Sequence, residues 1–118
     1  MGEERRSTPR VRAYLPVRLQ KPSAPHVVET LTKDLAVGGV RCLSPSLIPV
    51  SSDVNIELMF SGGDEPLSVR GTAIWFRILP QSEQFDVGIA FKDLDQRNKR
   101  RLSAYLDRLV TNPASALT

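Results

Sequence analysis

From Val11 to Phe91 the chain alternates apolar and polar positions in short stretches separated by turn-forming residues. Val54, Ile56, Leu58 and Phe60 alternate strictly with polar neighbours, the period of a half-buried strand. Val11 to Leu19 alternates more loosely around Pro16, which suits an edge strand or one carrying a bulge. Val27 to Thr32 and Val40 to Leu43 are further short strands, with a tight turn expected over Asp34 to Gly39 between them. Ser44 to Ser52, rich in serine and proline, is expected as a loop, and residues 61–66 as a hairpin connection. Leu67 to Leu79 is a long strand with Gly71 as its expected bend, and after a turn over Gln81 to Gln84 the last strand is Phe85 to Phe91. About six strands at this spacing predict a small antiparallel barrel or sandwich.

After Phe91 the period lengthens. Leu94, Leu102, Tyr105, Leu106 and Leu109 fall on one face of a helix of about four turns, which would pack its apolar stripe on the barrel. Asp93 and Gln96 have the spacing of a capping box at its start. The expected organisation is a basic arm over 1–12, a barrel plus helix over 12–110, and a frayed tail over 111–118.

Composition narrows the chemistry. With 118 residues, 41% of them hydrophobic and 25% charged, the chain fits one globular domain that needs no covalent staple. The single cysteine, Cys42, rules out an intrachain disulfide and a cysteine-based zinc site, and reads as a small buried hydrophobe. The single histidine, His26, sits in a Pro/Ser-rich turn and leaves little for a Cys-His or Ser-His mechanism. No paired carboxylates or phosphate loop can be assembled, so no catalytic residue and no metal site is expected, and an enzyme is the least favoured class. No apolar run is long enough for a signal peptide or a membrane span, which reads as a cytoplasmic protein without membrane insertion.

The net charge is only +3, but its placement is uneven. Arg5, Arg6, Arg10, Arg12, Arg18 and Lys21 crowd the start, and Arg97, Lys99, Arg100 and Arg101 form a second group. Such clusters suit an anionic partner or simply a wet charged face. Aromatic residues, 6% of the chain, do not interleave with basic ones as stacking platforms do, so a nucleic-acid polymer is not the expected ligand.

Two short stretches stand out. In Arg5-Arg6-Ser-Thr-Pro-Arg10, Pro9 disfavours a helix, and extended backbone would let Arg6 and Arg10 reach round a ligand. Each guanidinium is a rigid fork of donors suited to phosphate or to the O6/N7 edge of guanine. In Asp34-Leu-Ala36-Val-Gly38-Gly39, a carboxylate able to accept from a guanine precedes glycines that permit close approach; the same residues also make an ordinary turn.

Together these stretches resemble the PilZ domain family, whose signature is Arg-x-x-x-Arg followed tens of residues later by Asp/Asn-x-Ser-x-x-Gly. Arg6 and Arg10 match the first motif, Asp34 and Gly39 the second. The resemblance extends to Leu-Pro-Val at 15–17, Ala-Ile-Trp at 73–75, Val-Gly-Ile-Ala-Phe at 87–91 and the closing helix. It implies a six-stranded antiparallel β-barrel with one C-terminal α-helix, and a receptor for cyclic di-GMP that uses no cofactor. Arg6 and Arg10 would grip phosphates and guanine edges, Asp34 would contact a guanine edge, and Gly39 would leave room for the base. Gly38 and Arg41 would line the same surface.

Ala36 stands where the family has serine, removing one hydroxyl. A net hydrogen bond is worth about 0.5–1.5 kcal/mol, roughly two- to tenfold in affinity. Charge-assisted contacts of the arginine pair, about 1.5–3 kcal/mol each, outweigh it. Arg5, just before the motif, either adds a third fork that favours an intercalated cyclic di-GMP dimer or is simply solvated. Trp75 is expected in the core, with stacking on a base as the alternative. The implied mechanism is a basic arm that folds across the barrel on binding and signals to a downstream protein. The competing reading is a PilZ-like interaction module that does not bind the nucleotide.

Overall fold

A computed structural model describes residues 11–23, 26–60 and 65–111. The described residues form seven strands and one helix: β1 (Val11–Arg12), β2 (Pro16–Gln20), β3 (Val28–Ala36), β4 (Gly39–Ser44), β5 (Asp53–Leu58), β6 (Leu67–Ile78), β7 (Phe85–Phe91) and α1 (Gln96–Thr111). Six of the strands close a barrel in the order β2-β5-β6-β7-β4-β3, every pairing antiparallel, and β1 adds to β3 beside β2. The six-stranded barrel and its closing helix agree with the expectation from sequence.

Alternation places Val17, Leu19, Val40, Cys42, Val54, Ile56, Leu58, Val87 and Ile89 inside. Helix α1 buries Leu102, Leu106 and Leu109 against this core, with Tyr105 on Phe60 at 4.9 Å between ring centroids. Ile48, from the loop before β5, is also part of the core.

Four local expectations are corrected. The first strand breaks at Ala13–Leu15, where Thr32 Oγ1 accepts from Leu15 N and donates to Ala13 O, so a side chain replaces ladder bonds just before Pro16. The expected turn over Asp34–Gly39 shrinks to Val37 and Gly38, because Asp34, Leu35 and Ala36 continue β3 and pair with Arg41, Val40 and Gly39. Gly71 stays in register with both neighbours, and the irregularity of β6 lies instead between Ala73 and Trp75. Asp95, not Asp93, caps α1: its Oδ1 accepts from Asn98 N at 2.8 Å, while Asp93 pairs with Arg70 and Leu94 lies before the helix.

Candidate functional site

The outer face of β3, β4, β7 and β6 brings together Asp34 and Arg41 with Arg12 of β1. Directly paired residues in an antiparallel sheet point the same way, so the register defines rows across this face. One row runs Arg12, Asp34, Arg41, Gly88, Trp75. The next, towards the β6–β7 turn, holds Leu43, Asp86 and Arg77. On the other side lie Ala36, Gly39, Ala90 and Thr72.

Asp34 and Arg41 are cross-strand partners, with Oδ2 of the carboxylate 3.0 Å from Nε of the guanidinium. β1 sets Arg12 beside Asp34, which brings the chain to this face immediately after Arg10. Arg5, Arg6 and Arg10 themselves lie outside the described residues. Ala36 is buried, Gly38 is exposed in the turn, and Gly39 is partly buried. A Cβ on Gly39 would come within 2.4 Å of the Ile89 carbonyl oxygen, so this glycine also lets β4 approach β7.

Sequence analysis missed Asp86. Its side chain is 0% exposed and sits among three cations: Lys33 Nζ at 3.1 Å, Arg77 Nη2 at 2.7 Å and Arg41 Nη1 at 3.9 Å. Burial pushes its pKa up, but hydrogen bonds from Arg77 and Lys33 and the charges of Lys33 and Arg41 outweigh that, leaving the carboxyl below its ordinary range. Asp86 therefore stays ionised and tethers three basic side chains at one place.

Trp75 also departs from the sequence expectation. It is not core: a Cβ on Gly88 would lie 2.3 Å from the indole Cε2 and Nε1, so the ring covers Gly88 on the outer face, one strand from Arg41. Beside it, Ala36, Gly39 and Ala90 carry nothing larger than a methyl group. The face thus combines a flat, side-chain-poor floor, an aromatic ring, four cations and two carboxylates. That arrangement fits a planar, anionic ligand with hydrogen-bond donors on its ring edge.

The remaining candidates are inert. Cys42 is fully buried, and burial followed by the Asp86 charge pushes its thiol up to about 12. A groove of about 470 Å³ lies on the opposite side, over β2, β5 and β6, but its charges neutralise one another as Arg18 with Glu29 and Glu57, and Arg70 with Asp93. Among the described residues no cluster of metal ligands occurs, and no helix is long and apolar enough to cross a membrane.

Comparison with known proteins places this geometry. No curated protein sequence matches the chain. Among solved structures, the PilZ domain of YcgR from Escherichia coli with c-di-GMP is similar, with a TM-score of 0.70, 18% identity, and coverage of 94% of this chain and 98% of that one. The c-di-GMP complex of MrkH from K. pneumonia has a TM-score of 0.77 at 17% identity, over 93% of this chain and 54% of MrkH. The inhibitor of motility MotI/DgrA of Bacillus subtilis has a TM-score of 0.76 at 16% identity, over 92% and 52%. This chain spans about half the length of the MrkH and MotI chains. At these identities the likeness is one of fold. The profile of the PilZ domain, however, matches residues 4–108, from the arginine-rich start to the helix, and the chain belongs to the PilZ domain family.

Proposed function

We propose that this chain is a cyclic di-GMP receptor with no catalysis of its own. The observation that carries the reading is the row Arg12, Asp34, Arg41, Gly88, Trp75: it sets Arg12 beside the Asp34–Arg41 pair and, across Gly88, a half-buried indole on the same outer face. The c-di-GMP carried by the YcgR and MrkH structures supports the same ligand. In this reading Arg6 and Arg10 take phosphates and guanine edges, with Arg5 as a third fork on a stacked pair of ligands. Asp34 accepts from a guanine edge, and Ala36, Gly38 and Gly39 leave the floor open beneath a base. Arg41, Lys33 and Arg77 add positive potential, and Trp75 offers a ring for stacking. Binding draws residues 1–10 across the barrel, and a downstream protein responds to the new surface.

The test is calorimetric titration of cyclic di-GMP into the wild type and an Arg6→Ala/Arg10→Ala variant. Saturable binding lost in the variant is expected, with two ligands per chain if Arg5 holds a stacked pair. Absence of heat and of thermal stabilisation at high ligand concentration would refute the receptor and leave an interaction module, consistent with Ala36 in place of serine.

A further inference from the structure

Strand β6 outruns its neighbour. β5 pairs with it only over Leu67 to Thr72, and backbone bonds from Ser51 and Ser52 reach no further than Ala73. Beyond that point β7 holds one edge of β6, while among the described residues no strand pairs with the other edge from Trp75 to Ile78. This open edge is apolar. Ile74, Phe76 and Ile78 are 49%, 40% and 65% exposed, and nearby Val50 is 51% exposed. Isolated exposed apolar residues are ordinary, but a cluster on an unpaired edge is a template for strand addition.

We infer that the free edge of β6 pairs with the same edge of a second copy, antiparallel about a two-fold axis through Phe76. The segment Ile74-Trp-Phe-Arg-Ile78 is self-complementary in this register. Ile74 faces the partner's Ile78, Phe76 faces the partner's Phe76, and Trp75 faces the partner's Arg77. Apolar pairs and an aromatic–cation pair thus form across the seam, each a favourable cross-strand combination. Neighbouring registers are worse. Sliding the axis to Arg77 opposes two guanidiniums, and sliding it to Trp75 recruits Ala73, whose backbone N and O are already bonded to Ser52 and Ser51.

The partner is a second copy because a two-fold pairing consumes the whole free segment on both chains. The rest of the barrel is closed through β2–β3 and β3–β4, so assembly stops at two instead of growing into a filament. Five residues per copy fall short of a standard interface, so the dimer forms with rising concentration and is not permanent.

The experiment is sedimentation equilibrium from micromolar to millimolar protein, without nucleotide, on the wild type, Phe76→Lys, Phe76→Glu and an equal mixture of the two variants. The expected result is a reversible wild-type dimer, loss of dimer in each single variant through like-charge opposition, and recovery in the mixture. Circular dichroism confirms that each variant is folded, and each retains wild-type cyclic di-GMP affinity, since Phe76 lies off the ligand face. A wild type that stays monomeric throughout overturns the inference, as do single variants that still dimerise or a mixture that stays monomeric. Failure of nucleotide binding in the wild type would sink the receptor and leave this dimer standing.

Discussion

Replacing Asp86 with asparagine isolates the cation-tethering carboxylate. The change keeps the size of the side chain but removes the charge that Lys33 and Arg77 bond at 3.1 and 2.7 Å. Each charge-assisted hydrogen bond is worth about 1.5–3 kcal/mol when buried. Here the acceptor is fully buried, but the Lys33 and Arg77 side chains are 30% and 64% exposed and can return to water. That discounts the sum, and we expect Asp86→Asn to cost about 2–3 kcal/mol near neutral pH, below the roughly 3–5 kcal/mol of breaking a wholly buried pair. Urea unfolding followed by circular dichroism should show the midpoint falling by on the order of 1 M with the slope unchanged. The pH dependence follows from the depressed pKa. The folded chain holds Asp86 ionised below the ordinary value of 3.8, so its contribution is complete above that value and is lost as pH falls towards the folded pKa. The gap between wild type and variant should therefore be full at neutral pH and shrink in acid. A cost under about 0.5 kcal/mol, the scale of an ordinary surface change, or a gap that does not narrow in acid, would refute the tether.

Two further outcomes follow. Trp75→Ala should leave the urea midpoint near that of the wild type, because the ring lies on the outer face, and should weaken cyclic di-GMP by about 1–3 kcal/mol if a base stacks on it; titration and unfolding measured together separate this from a core residue. Asp95→Ala should destabilise by about 0.5–2 kcal/mol through loss of the cap, whereas Asp93→Ala removes only an exposed ion pair and should cost under about 1 kcal/mol, and paired unfolding curves distinguish the two.

Much of this fold is legible from alternation alone, because strands such as β2, β4 and β5 bury alternate residues. Val54, Ile56 and Leu58 are inside, and the helix stripe of Leu102, Leu106 and Leu109 packs on the barrel as its spacing requires. What sequence could not supply is register. Asp86 looks like any polar position at the start of a strand. It becomes a hub only when β7 sets it opposite Leu43 on one side and Arg77 on the other, within reach of Lys33. Asp93 has the better capping-box spacing, yet the helix begins at Gln96 and so the cap falls to Asp95. Asp34 to Gly39 suits a turn as well as a strand end, and the pairing of Ala36 with Gly39 decides for the strand.

The deepest misreading, Trp75, has a cause that also explains the site. Ala73 pairs with Ile89 inside the barrel, and without interruption Trp75, two residues on, would share that inward face. The register shift between them inserts Ile74 as an extra residue, so Trp75 pairs with outward-facing Gly88. β3 does the same. Thr32 pairs with Cys42 inside, and the shift at Lys33 sends Asp34 outward to pair with Arg41 while Leu35 turns in. One added residue on each of two strands therefore reverses the alternation on both flanks of the β4–β7 pair. The effect is to move a carboxylate and an indole, each otherwise bound for the core, onto one face. There they meet Arg41 and the small residues Ala36, Gly39 and Ala90. The binding face of this barrel is built by two breaks in the pattern that makes the rest of it readable.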